Sequence, residues 1–207
     1  LFLYLYRNQV GSCNSNSVST IDVSEADSEN VSCKFMVSPS YSTVLTCFYQ
    51  KSAKEIIAQS FIILISSSTQ EIQPISTLEK SKRNSGAKII KSILSQDKTK
   101  SLVCYINDDN NCVCLIYDIT INEWSDYSTY LYDCIPSISS LTIDYFESSN
   151  EYVIYCFQSE TKFYLVKLDS NFNLKEDENN GIYDSTESVS ECTDYHIASL
   201  IHNSNNR

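Results

Sequence analysis

The sequence predicts an all-β protein built from antiparallel four-stranded modules, and three observations lead there. Short apolar runs alternate with polar turns, as in Ser139 to Lys175, SSLTIDYFESSNEYVIYCFQSETKFYLVKLDSNFNLK, which reads as three strands joined by hairpins. The chain has 15 tyrosines and many β-branched residues, which suit a pleated, half-buried surface. The order strand, turn, cysteine-bearing strand, turn, strand also comes back around 33–68 and 87–127.

Taken in order, LFLYLY (Leu1 to Tyr6) alternates aromatic and aliphatic residues, as a strand buried on both faces does. Arg7 to Glu29 is Ser-, Asn- and acid-rich and reads as a loop, with at most one short strand at Val18 to Val23. Cys33 to Val37 and Thr43 to Tyr49 are strands around the turn SPSYS, where proline's fixed φ is an asset. SAKEIIA from Ser52 allows a helical turn, but the β-branched run SFIILIS after it suits a central strand. TLEKSKRNSG, ending at Gly86, reads as a surface loop with a charged tip. Lys88 to Leu94 alternates; Leu102 to Ile106 and Cys112 to Ile119 then flank DDNN, a hairpin signal. After Ser139 to Lys175, the acidic segment Glu176 to Glu191 reads as a loop.

Aligned on Cys47, Cys104 and Cys156, the modules are 57 and 52 residues apart. Their first strands begin near Cys33, Ala87, Ser139 and Tyr195, which outlines modules at 31–77, 87–130 and 134–178 and the start of another at 192–207. Propeller blades have four strands in roughly 40–50 residues, so the modules are blade-like and the expectation is a partial β-propeller. Two β-sandwich domains of about seven short strands each are the alternative. LIYDITINEW, an outward strand followed by Asp, a polar turn and Trp124, resembles the third and fourth strands of kelch-type blades. Fewer than four blades leave exposed edges. With no initiator Met or signal peptide, the expectation is a processed part of a larger ectodomain.

Composition narrows the roles. A net charge of -11 disfavours nucleic acid and anionic lipid, which need clustered Lys and Arg. The longest apolar run, Phe61 to Ile65, is too short to span a bilayer. With three glycines and three prolines, turns fall to Asn, Asp and Ser, and no glycine-rich phosphate loop exists, so no cofactor is expected. The heavy use of Asn, Ile, Tyr, Lys and Ser is that of AT-rich coding, not of physics.

Nine cysteines point to an oxidising compartment, so a secreted or cell-surface location is expected. In the DDNN hairpin, a register with Ile106 opposite Cys112 sets Cys104 opposite Cys114. Cys134 with Cys156, and Cys33 with Cys47, are the further bridge candidates, each within one module. Cys13, Cys112 and Cys192 remain. Cys112-x-Cys114 alone does not make a metal site, so none is expected. Asn30-Val31-Ser32 is the single glycosylation sequon.

Catalytic groups are sparse. His196 and His202 read as strand-surface histidines, and acid pairs such as Asp108/Asp109 or Asp144/Glu147 carry no signal in a chain with 26 acids. A sialidase-like propeller needs clustered arginines, but only Arg7, Arg83 and Arg207 exist, all expected in turns or at the terminus. Asp169-Ser-Asn171-Phe-Asn173 copies half a calcium loop, but Leu174 stands at the glycine position, so it reads as a hairpin turn.

Repeated strand-cysteine modules at Cys33/Cys47, Cys104/Cys114 and Cys134/Cys156, with the AT-rich usage, resemble the cysteine-rich surface antigens of malaria parasites, which include a β-propeller. The odd cysteine count and the missing blades depart from that pattern. The resemblance implies a non-enzymatic adaptor whose partners are other surface or invasion-complex proteins. A degenerate glycosidase- or hydrolase-like propeller and a structural assembly component are the alternatives.

Overall fold

The computed structural model describes residues 2–4, 18–20, 31–52, 54–65, 70–83, 86–126, 128–131, 134, 141–159, 162–175 and 181–184. Asn30, Cys13, Cys192, His196, His202, Arg7, Arg207 and the module start at 192–207 lie outside them. Every regular element among the described residues is a strand. β1 (Phe2–Tyr4) and β2 (Val18–Thr20) form an antiparallel pair. Three antiparallel meanders follow. The first runs β3 (Val31–Ser38), β4 (Ser42–Ser52), β5 (Glu55–Ile65), β6 (Gln70–Arg83). The second runs β7 (Lys88–Leu94), β8 (Lys100–Ile106), β9 (Cys112–Asp118), and a fourth position shared by β10 (Glu123–Trp124) and β11 (Ser128–Leu131). The third runs β12 (Leu141–Phe146), β13 (Glu151–Phe157), β14 (Lys162–Leu168), β15 (Gly181–Asp184).

The three sheets stack face to face because the middle one is apolar on both sides. On β8, Val103 and Tyr105 enter a core with Phe48, Ile56 and Ala58 of the first sheet. Their neighbours Leu102, Cys104 and Ile106 enter a second core with Leu141, Tyr152 and Ile154 of the third. This is the period of two of a strand buried on both faces. Trp124, one turn after β9, closes the first core: its ring lies 5.8 Å from Phe48 and 5.2 Å from Tyr117, and its indole N–H donates to Lys80 O at 3.0 Å. The first strands meet as the sheets stack, with β7 lying against β3 on one side and β12 on the other.

Four sequence expectations change. The SAKEIIA stretch is not helical: Ile56 and Ala58 face the first core while Ile57 faces away, so β5 is extended from Glu55. The lysine-rich stretch is not a loop but the end of β6, and Arg83 is therefore in a strand. Register jumps between Gln59↔Glu79 and Phe61↔Pro74, turning both Ile75 and Leu78 into the core. β6 is an edge strand, where proline and charges are tolerated. Its lysines pair with the next sheet: Lys80 with Glu123 at 2.7 Å and Lys82 with Asp126 at 3.2 Å. Lastly, Gly181–Asp184, expected in a loop, pairs with β14 as a fourth strand.

The Asp169 motif is a hairpin turn. Its carboxylate accepts the backbone N–H groups of Asn171 and Asn173, both at 2.8 Å, which lets Phe172 turn inward at φ 66° to stack on Tyr152 at 4.6 Å.

Candidate functional site

Among the described residues, three pairs of cysteines are joined. Cys33 faces Cys47 across β3 and β4 with Cα atoms 4.0 Å apart, and Cys104 faces Cys114 across β8 and β9 at 4.1 Å. Such distances belong to directly opposed strand positions. The third pair, Cys134 and Cys156, has Cα atoms 5.8 Å apart. These are the three candidate pairs named from the sequence, but the third differs in kind. Cys134 lies after β11, and its amide donates to Asn110 O in the β8–β9 turn at 2.6 Å. The bridge thus ties the end of the second sheet to β13 of the third rather than closing one module on itself.

Cys47, Cys104 and Cys156 all sit on the second strand of their sheets, yet they do not share a face. Cys47 points away from the second sheet, while Cys104 and Cys156 point into the core between the second and third. Cys112 lies in that same core as a free thiol, its Sγ 4.0 Å from that of Cys114. The sulfurs of Cys104, Cys112 and Cys114 all lie within 4.8 Å of one another. Two of them are consumed by a disulfide, so the cluster offers a metal one thiol, not a ligand set. Burial pushes the Cys112 thiol up to about 12, far from the thiolate form that reacts. Iodoacetamide at pH 8 should therefore leave Cys112 unmodified in the folded chain and label it in denaturant; a mass shift at Cys112 under native conditions contradicts this packing.

One concave feature joins all three sheets where their first strands meet. It is an open hollow of about 380 Å³ over Leu94 and Tyr152, flanked by Lys34 of β3, by Gln96 and Lys98 of the β7–β8 turn, and by Tyr145 of β12. Its walls are fixed by bonds between sheets. Ser32 and Ser92 hydroxyls pair at 2.6 Å, the Val37 amide donates to Lys98 O at 2.9 Å, and the Tyr152 hydroxyl donates to Leu94 O at 2.9 Å. The Gln96 amide donates to the Tyr145 hydroxyl and, at 3.0 Å, to Asn150. Lys98 holds φ 59°, a left-handed turn position. Nothing in the sequence marked this hollow, because its residues come from three modules.

The acid pairs do not converge on it. Asp108 sits in the β8–β9 turn and pairs with Lys88 at 3.5 Å, while the Asp144 carboxylate accepts from the amide of Tyr145. Three other carboxylates are depressed. The Ser95 hydroxyl, ahead of the Thr99 amide, holds Asp97 below the usual carboxylate range, and Lys175 does the same for Glu151. At Asp169 burial pushes upward, but the bonds from Asn173 and Asn171 outweigh it. A depressed folded-state pKa contributes stability that is fully present above the unfolded value and lost as pH falls through the folded one. The denaturation midpoint should thus hold steady down to about pH 5 and fall below about pH 4, where free carboxylates titrate. An Asp97→Asn, Glu151→Gln, Asp169→Asn variant should show a shallower acid decline, read from urea midpoints across pH; an unchanged decline rejects these contacts.

No protein-family model matches the chain, and no curated protein or solved structure is significantly similar to it.

Proposed function

We propose that this chain is a non-enzymatic, disulfide-stapled binding scaffold of the cell exterior, built as a segment of a β-propeller and serving as an adaptor between surface proteins. The resemblance to parasite cysteine-rich surface antigens suggests that those partners belong to the parasite's surface or invasion machinery, in contact with the host cell. The observation that carries the reading is the stack itself: three four-stranded meanders, first strands inward, with a bridge on the second strand of each. Three bridges are consistent with an extracellular protein. The outward face of the first sheet supports it further. Its apolar cluster on β4 and β5 is buried, but beside it Phe35 is 47% and Val37 39% exposed on β3, a small apolar patch at the rim.

Membrane-impermeant cross-linking on intact producing cells, followed by mass spectrometry, tests the reading. The expected result is the bridged chain joined to a discrete surface protein. Recovery of the chain from the cytosol, with every thiol alkylatable, overturns it.

A further inference from the structure

The hollow between the first strands has a charge that runs against the rest of the chain. With 26 acids against 15 bases, carboxylates are plentiful, and Lys51, Lys80, Lys82, Lys88, Lys100 and Lys175 each lie against one. Lys34 and Lys98 have no such partner among the described residues, and both edge the same hollow. Lys34 is half-buried beside Leu94, so its ammonium has given up part of its water without a carboxylate in return; burial lowers its pKa from the usual lysine value. The nearest acid along the chain, Asp97, does not line the hollow, although its charge reaches Tyr152. Its carboxylate takes the Ser95 hydroxyl at 2.6 Å and the Thr99 amide at 3.0 Å, and it lines the adjoining hollow with Lys100. The floor is apolar, formed by Leu94 and by Tyr152, whose hydroxyl is already bonded. Two unpaired cations over an apolar floor of this volume make a recognition site for an apolar group flanked by carboxylates.

We propose that this hollow docks an acidic peptide segment of a partner protein, its apolar side chain seated on Leu94 and Tyr152 and its carboxylates paired with Lys34 and Lys98. The inference rests on the protein-binding reading above and names the chemistry of the partner at this place. Lys34 supplies the tighter, partly desolvated pair; Lys98, at the turn tip, supplies a solvent-exposed pair that governs encounter rate and salt dependence.

The probe is a fluorescein-labelled heptapeptide alternating Glu and Leu, read by fluorescence anisotropy against its Gln-and-Leu counterpart on the oxidised full chain. The acidic peptide should bind about tenfold more tightly in low salt, the scale of charge-assisted hydrogen bonds, and should lose that advantage as salt rises. Lys34→Met keeps the stem and removes the charge, and Lys98→Gln removes the second; the double variant should bind both peptides alike while Cys112 stays protected from alkylation. Equal affinity for the two peptides in the unmodified chain, or an acidic preference that survives the double substitution, overturns the proposal. A surface partner still captured on cells in either case leaves the scaffold reading standing, so the two failures are distinguishable.

Discussion

Reduction of the three disulfides is expected to unfold the chain at room temperature. They close segments of 10, 14 and 22 residues, each about 3 kcal/mol in the chain-entropy account. Together that rivals the 5–15 kcal/mol stability typical of a folded domain. The loss is compounded by position, because Cys47, Cys104, Cys114 and Cys156 are buried in apolar cores where two thiols pack less well than one bridge. Trp124, the single tryptophan, reports the event: it is buried between Phe48 and Tyr117, and its emission should shift to the red on adding a phosphine reductant. Emission and melting temperature unchanged in excess reductant would mean that sheet stacking alone holds the fold.

Phe48→Ala should destabilise the oxidised chain by about 3–5 kcal/mol, the range for removing a buried phenylalanine. Phe48 is fully buried in the core between the first and second sheets, with ring centroids 5.8 Å from both Tyr117 and Trp124. Its removal empties the centre of that interface, and the strands around it, bridged and hydrogen-bonded, cannot collapse onto the void. Lys80→Ala is the natural contrast: its ion pair with Glu123 is exposed, and exposed pairs contribute well under 1 kcal/mol. Urea unfolding of the two variants should separate them clearly; similar midpoints would place the strength of the interface at its charged rim.

The all-β class and the strand positions were legible because each strand carries its own local signal. DDNN fixed a hairpin register that set Ile106 opposite Cys112 and Cys104 opposite Cys114, and the pairing has that register. DITINEW was legible for the same reason: a strand, an Asp-led turn and a tryptophan that folds back on the strand. The end of β6 was not, since its lysines mask a strand whose apolar residues, Ile75 and Leu78, are spaced three apart by a register jump rather than two. Gly181–Asp184 is too short to show a period at all.

The cysteine alignment gave the right strand but not the face. A shift of one residue sends a side chain to the opposite side of a sheet, and Cys104 faces the following sheet where Cys47 and Cys156 face the other way along the stack. The hollow flanked by Lys34 and Lys98 was beyond reach for a different reason. Its partners are 64 residues apart in the chain, and only the stacking of first strands, which no local pattern encodes, brings them together.

The most direct test of the stapled stack is disulfide mapping of the oxidised chain by non-reducing proteolysis and mass spectrometry. Linked peptides are expected for Cys33–Cys47, Cys104–Cys114 and Cys134–Cys156, with Cys112 recovered as a free thiol. A bridge through Cys112, or Cys156 linked anywhere other than Cys134, would contradict it.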